Sequence, residues 1–387
     1  MYLNTAESVE GWCKPRICMP TFSAFARNVF RTGTYEAEDV LVGCDDVDVI
    51  HLEASNVSAF GNRVLGRLVY HDVSRRLVSL NPGLRPVRLT RDYELFMLFC
   101  PFLQDVWYAN AIQGWRDQCR TSVCWIDELW ADDVQHLQNW LPVLNRFDHV
   151  ILGIPGSGKD LGDAIGRPCH EILSGVDTIR FSPYPNPPAR VVDLYSIGRR
   201  WEGIHRSLLN LAARKEMFYI YDTLDHVAIG ETRDYAQHRD LYANITKRSR
   251  FFIVAPGRMN FPQGTRGQVV VGRRYFEGLA AGAVLVGQAP DSEAFRRNFD
   301  WPHAVIEIQP DGSDAVAVIS RLLAEPERLR EISCRNAEEA LRRHDWVYRW
   351  KEILRIAGLK PTPAMEAREK RLGELAELAR ERGSVSV

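Results

Sequence analysis

Apolar and polar positions along this chain switch over stretches of several residues rather than every second residue. Continuous apolar runs bounded by turn formers recur at 39–43 (DVLVG), 47–54, 93–100, 121–126 and 149–154, and again at 190–198, 217–222, 250–257, 283–287 and 303–308. Unbroken runs suit strands covered on both faces, as in a parallel sheet, because a strand with one wet face would alternate. Between them, 202–216 and 313–332 put apolar residues on one helical face and charges opposite. The pattern predicts an α/β protein in which strands and helices alternate.

The stretch FSPYPNPPAR at 181–190 carries Pro183, Pro185, Asn186, Pro187 and Pro188, a stiff extended composition that separates two bodies. It divides the chain into an N-terminal domain over 1–180 and a C-terminal domain over 181–355, leaving 356–387 as a charged tail helix. A length of 387 residues exceeds one ordinary core. With 49 Lys+Arg against 50 Asp+Glu there is no broad basic footprint for nucleic acid, so any anion site is local. No apolar run approaches the roughly 18 residues of a membrane span, and the first residues lack a basic segment followed by an apolar one. These features predict a cytoplasmic protein without a transmembrane segment.

Eight cysteines are too sparse for a disulfide framework. Cys13 with Cys18 and Cys119 with Cys124 share a spacing compatible with a four-thiolate zinc site, but Cys18 and Cys124 lie in apolar text, which favours core thiols and no metal. The segment HVILGIPGSGKDL places Gly153, Gly158 and Lys159 at phosphate-loop spacing after an apolar run. Asp160 stands where that pattern needs a hydroxyl for Mg²⁺, and Gly166 and Pro168 soon break the following helix, so the segment reads as a strand ending in a turn. His51 and His71 are lone histidines without a nearby partner in sequence.

Two stretches carry a family resemblance. EILSGVDTIRFSP at 171–183 resembles the interdomain signature of retaining, group 1 (family 4-like) glycosyltransferases, N-G-V-D-x-x-R-F-x-P, with Ser174 in the Asn place and Gly175, Val176, Asp177, Arg180, Phe181 and Pro183 matching. GRRYFEGLAAGAVLVG at 272–287, followed by the P-E-R helix and the H-x-W/Y-x-x-R segment holding Trp346 and Arg349, is similar to the C-terminal domain of the CgeB-like branch. The resemblance covers roughly 171–355 and implies a GT-B fold, two Rossmann-like domains facing each other across a cleft. It implies transfer of a sugar from a UDP-, GDP- or dTDP-sugar to a hydroxyl of an unidentified acceptor (glycan, lipid-linked sugar, protein or small molecule), with retention and without a metal.

The resemblance also distributes roles. Glu277 takes the place of the acid that holds the ribose hydroxyls, with Phe276 in the same motif. Arg274 opens the helix whose N-terminus favours a diphosphate. Gly198 stands where the backbone approaches the donor phosphates, and Arg206 where a basic residue neutralises them, with Arg199 and Arg200 as rivals. Arg266 and Gly267 belong to a loop that closes over the sugar. The family's second acid, eight positions before Glu277, is Val269 here with Gln268 beside it, which leaves the sugar contact unassigned.

On the acceptor side, TSVCWIDELWADD breaks from an apolar strand into acids, and strand C-termini line the crevice of parallel folds. Asp127 and Glu128 are therefore candidates to orient the acceptor hydroxyl or act as its base, with helix N-capping as the competing role. Trp346 and Arg349 read as a stabilising helix packed across both domains. Three other readings remain open: a catalytically silent scaffold of this fold, a nucleotide-sugar epimerase, and a phosphate-loop NTPase.

Overall fold

The computed structural model describes residues 15–55, 77–134, 138–198, 200–223, 230–259 and 262–384. Two parallel sheets form. The first, in the order β2-β1-β4-β6-β7-β8, comprises β1 (Ile17–Thr21), β2 (Val47–His51), β4 (Tyr93–Phe102), β6 (Cys119–Glu128), β7 (His149–Leu152) and β8 (Cys169–Glu171). The second, in the order β10-β9-β11-β12-β13, comprises β9 (Val192–Ser196), β10 (Tyr219–Tyr221), β11 (Ser249–Val254), β12 (Val284–Gly287) and β13 (Ile306–Glu307). A two-stranded pair, β3 (Val87–Arg88) with β5 (Ile112–Gln113), lies beside the first sheet.

Burial follows the apolar runs. Leu95 to Cys100 and Val123 to Ile126 are fully enclosed, as strands covered by helices on both faces must be. One run behaves differently: DVLVG is not a strand but the end of helix α1 (Thr32–Val42), whose Ala37, Val40 and Leu41 pack on the sheet. Short apolar runs do not distinguish the two periods. Conversely, β1 (ICMPT) and β8 (CHE) arise from segments outside the recurrent apolar runs.

The helices that position the cleft are α2 (Glu202–Ala213), α3 (Tyr235–Lys247) and α4 (Arg273–Ala280). The chain then continues through α5 (Pro326–Arg343), α6 (Trp346–Ile356) and α7 (Pro363–Ser384). The last two cross back onto the first sheet. Trp346 meets Phe99 and Trp125 at 5.8 and 5.9 Å between ring centroids, and Trp350 Nε1 donates to the Ala37 carbonyl at 2.9 Å. Helix α7 buries Met365, Leu372, Leu375, Ala376 and Ala379 in the same core and packs along α5 of the second domain, so it joins the two bodies rather than standing as a solvated tail.

The interdomain stretch is held by charge as well as packing. Asp177 caps a short helix, Thr178–Phe181, and Arg368 of α7 bridges Asp177 and Asp345 at 2.7 and 2.8 Å. No described helix is long and apolar enough to cross a membrane.

Candidate functional site

In each sheet the strand order reverses direction beside its first strand, between β1 and β4 and between β9 and β11. Ligands of open parallel sheets bind outside the carboxyl ends of the strands at that point. A cavity of about 520 Å³ lies there, between the two domains. Its walls include Phe30, Gly33, Phe102, Asp127 and Glu128 from the N-terminal domain and Gly198, Arg239, Tyr242, Arg273, Arg274 and Glu277 from the C-terminal domain.

Glu277 sits in α4, 2% exposed. Its Oε1 accepts from Arg239 Nη1 at 2.6 Å, and its Oε2 accepts from the Tyr242 hydroxyl at 2.8 Å and Arg274 Nη1 at 3.0 Å. Burial pushes against ionisation, but Arg239 and Arg274, together with the hydrogen bonds from Arg239 and Tyr242, outweigh it and hold the carboxyl down to about 2. A carboxylate offers about four lone-pair positions, so these three donors leave one, on Oε1. Arg274 keeps 31% of its side chain exposed. Gly198 follows β9 with φ +80°, and a Cβ there would come within 3.1 Å of Arg274 Nη2, so glycine serves both the left-handed turn and the close approach. Its N–H is already engaged, donating to Asp222 Oδ2 at 2.6 Å.

Across the cleft, Asp127 and Glu128 end β6 and cap no helix, since the next helical turn starts at Ala131. Asp127 Oδ1 accepts from Ser174 Oγ at 2.6 Å and Oδ2 from Arg273 Nη2 at 2.8 Å, an ion pair that joins the two domains. Glu128 Oε1 accepts from Trp130 Nε1 at 2.8 Å and keeps 35% of its side chain exposed. Gly33 lets Arg273 lie against α1, because a Cβ at that position would fall 2.2 Å from Arg273 Nη1.

Asp127, Glu128, Gly198, Arg274 and Glu277 thus meet in one cavity, while four other candidates do not. Arg206 stands on the outer face of α2, 74% exposed beside Glu202, because helical spacing turns it away from the strand end. Arg266 and Gly267 lie outside the cavity wall. The former is half exposed and paired with Asp132 at 3.2 Å, and the latter has open space where a side chain would be. Phe276 is fully buried against Phe299 and His344, a core residue of α4 rather than a ligand contact. Of the rivals to Arg206, Arg200 donates to the Asp222 carbonyl, and Arg199 lies outside the described residues, as do His71 and Cys13. Cys18, Cys119 and Cys124 are buried in the first sheet, and no metal-type cluster exists among the described residues.

The phosphate-loop-like turn is filled by the chain itself. Glu171 Oε1 accepts from the N–H groups of Gly156 and Gly158, both at 2.8 Å, so a side-chain carboxylate occupies the nest where a phosphate would sit. Lys159 points to solvent and pairs with Asp163 at 2.9 Å. Gly153 is needed for packing, since a Cβ there would lie 2.5 Å from the Asp127 carbonyl. Gln268, neighbour of Val269, closes the loop over this turn: its Oε1 accepts from the Ala131 N–H at 2.7 Å, and its Nε2 donates to the Pro155 carbonyl and Ser157 Oγ at 2.9 and 3.0 Å.

Arg239, Tyr242 and Arg273 escaped sequence reasoning. The first two sit in α3, whose polar text gives no strong apolar face, and their partners lie far away in the chain: Arg239 meets Glu36 across 203 positions.

Residues 191–355 match a family model described as glycosyl transferase-like. No curated protein matches the chain. Among solved structures, Anabaena Alr3699/HepE in complex with UDP-glucose is similar with a TM-score of 0.52 at 13% identity, over 88% of this chain and 99% of that one. An alpha-glucosyltransferase in complex with UDP and a 13-mer DNA containing a HMU base is similar with a TM-score of 0.52 at 11% identity, over 89% and 99%. The fold is GT-B, two Rossmann-like domains facing each other across a cleft.

Proposed function

We propose that this protein is a glycosyltransferase that moves a sugar from a nucleoside-diphosphate sugar to an acceptor hydroxyl, with retention and without a metal. The observation that carries the reading is Glu277: a buried carboxylate, held ionised by Arg239 and Arg274, opening into the interdomain cavity opposite Asp127. An ionised carboxylate at such a place binds ribose hydroxyls strongly and with orientation. Two hydroxyls need one more lone pair than Glu277 has free. Arg274, the partly exposed donor, supplies it by turning from Glu277 to the diphosphate, which also brings a planar cation to the leaving group.

Asp127 and Glu128 serve the acceptor, orienting its hydroxyl as it approaches the sugar. Uridine is the base to test first, because the similar structures were solved with UDP or UDP-glucose. The near balance of charges argues against nucleic acid as the acceptor. The resemblance to group 1 enzymes and the CgeB-like branch supports retention, and the anomeric proton of the product reads it by NMR.

A thermal-shift panel of UDP, GDP, dTDP and Mg-ATP on the wild type and Glu277→Gln tests the reading. A ligand at a hundredfold excess over its Kd stabilises the folded state by about 2.7 kcal/mol, a readable shift. One nucleoside diphosphate should act on the wild type and lose its effect in the variant. A response to Mg-ATP alone, equal in both proteins, would sink the proposal.

A further inference from the structure

Arg239 is 3% exposed and uses all three guanidinium nitrogens on two carboxylates from different domains. Nε and Nη2 donate to Glu36 Oε2 and Oε1 at 2.8 and 3.0 Å, a two-pronged grip on α1, while Nη1 donates to Glu277 Oε1 at 2.6 Å. Glu36 is 1% exposed, accepts a further hydrogen bond from the Asp177 N–H at 2.9 Å, and does not line the cavity. The segment leading into the helix that carries Arg239, and the first residue of that helix, are attached to the N-terminal domain. Val29 N–H donates to the Gly230 carbonyl at 2.7 Å, Thr232 N–H to the Arg27 carbonyl at 2.9 Å, and the Tyr235 hydroxyl to Asp39 at 2.8 Å. The guanidinium also lies over the rings of Phe181 and Tyr242, at 4.8 and 5.3 Å from their centroids. Domain interface, interdomain stretch and nucleotide wall therefore meet at one side chain.

Resting on the glycosyltransferase reading, we propose that Arg239 is a positioning residue that couples donor binding to docking of the two domains. One nitrogen fixes the Glu277 carboxylate and two hold Glu36, so the ribose-binding geometry is complete only when the domains are together. Separating the domains would take the two-pronged Arg239 grip from Glu36, leaving it the Asp177 N–H and Arg180 at 3.5 Å, and would leave part of the Arg239 guanidinium without its carboxylate, which penalises partly open states. Burial works against the charge on Arg239, yet the two carboxylates raise its pKa, consistent with a permanently ionised link. Glu36 thus acts on the ligand through Arg239 without touching it.

The test uses the full chain with Glu36→Gln and Arg239→Lys. The first turns an amide N–H₂ or a neutral oxygen toward Arg239, and the second keeps a cation but removes the fork. Two readouts are needed: the UDP Kd by calorimetry at 10 °C, well below unfolding, and ligand-free small-angle scattering. Both variants should weaken UDP by about tenfold, within the range of couplings between linked sites, and enlarge the radius of gyration. A purely structural role would lower Tm and leave Kd and scattering unchanged, and that result overturns the proposal. Should Glu36→Gln fail to fold, Arg239→Lys alone decides by the same criteria. If the wild type binds no nucleoside diphosphate, the glycosyltransferase reading fails instead. The scattering then judges the link by itself, with expansion supporting it and an unchanged profile overturning it.

Discussion

Asp127 has both carboxylate oxygens engaged, one by Ser174 of the interdomain stretch and one by Arg273 of the opposite domain. Asp127→Asn is nearly isosteric but removes the charge Arg273 faces. It should lower kcat by about 10²-fold or more, in the range ascribed to positioned acids and bases, with a smaller effect on donor KM. Initial rates at saturating donor check this, and a rate within threefold of wild type would remove Asp127 from the chemistry. That Glu277, Arg274 and Asp127 line the cavity is legible in the sequence, Glu277 through the family resemblance, Arg274 through a helix start after a glycine, and Asp127 through a strand that ends in acids. Arg239 and Arg273 were not, because an ion pair between residues far apart leaves no local period. Arg206 misled because a plausible spacing says nothing about which face of a helix looks inward.

At the scale of the element, the turn after β7 shows how a motif can keep its shape and lose its ligand. The N–H groups of Gly156 and Gly158 converge as they would on a phosphate, but Glu171 in β8 supplies the anion. The turn is thereby tied to the sheet, and Gln268 ties the loop of the other domain to the turn. Glu171→Ala should cost about 1.5–3 kcal/mol for the lost charge-assisted bonds and create no Mg-ATP binding, whereas Lys159→Ala, on an exposed side chain, should leave Tm within error of wild type. Chemical denaturation and nucleotide titration of the two variants check both statements. Tight Mg-ATP binding that Lys159→Ala abolishes would restore the phosphate-loop reading. Sequence spacing could not show the occupant, since Glu171 lies beyond the motif. The strand at 39–43 failed for a related reason: a run of five residues fits a helix end as well as a strand, and only its packing, here against β4 and α6, decides.

For the whole molecule, the sequence boundary at 181–190 falls where one sheet gives way to the next, but the chain does not end in the domain it enters last. Helix α6 puts Trp346 and Trp350 on the first sheet, and α7 lays Leu372 and Leu375 in the same core while packing along α5 of the second domain. Polar links reinforce this strap, with Arg368 on Asp177 and Asp345 and Arg342 on Glu377. The stripe at 365, 372, 375, 376 and 379 is spaced for one helical face, yet its many charges read as a solvated tail until the partner surface is known. A strap that belongs to both bodies makes their unfolding one event. Leu372, fully buried, should cost about 2–5 kcal/mol when changed to Ala, the usual price of a core leucine. The loss should appear as a shift of a single urea transition, coincident by tryptophan fluorescence and circular dichroism. Two separated transitions, only one of them moved by Leu372→Ala, would mean that the domains fold independently and that α7 serves just one of them. In that case the ties left between the two walls of the cleft would be polar ones, the Glu36–Arg239–Glu277 link together with Asp127–Arg273 and the Gln268 hydrogen bonds.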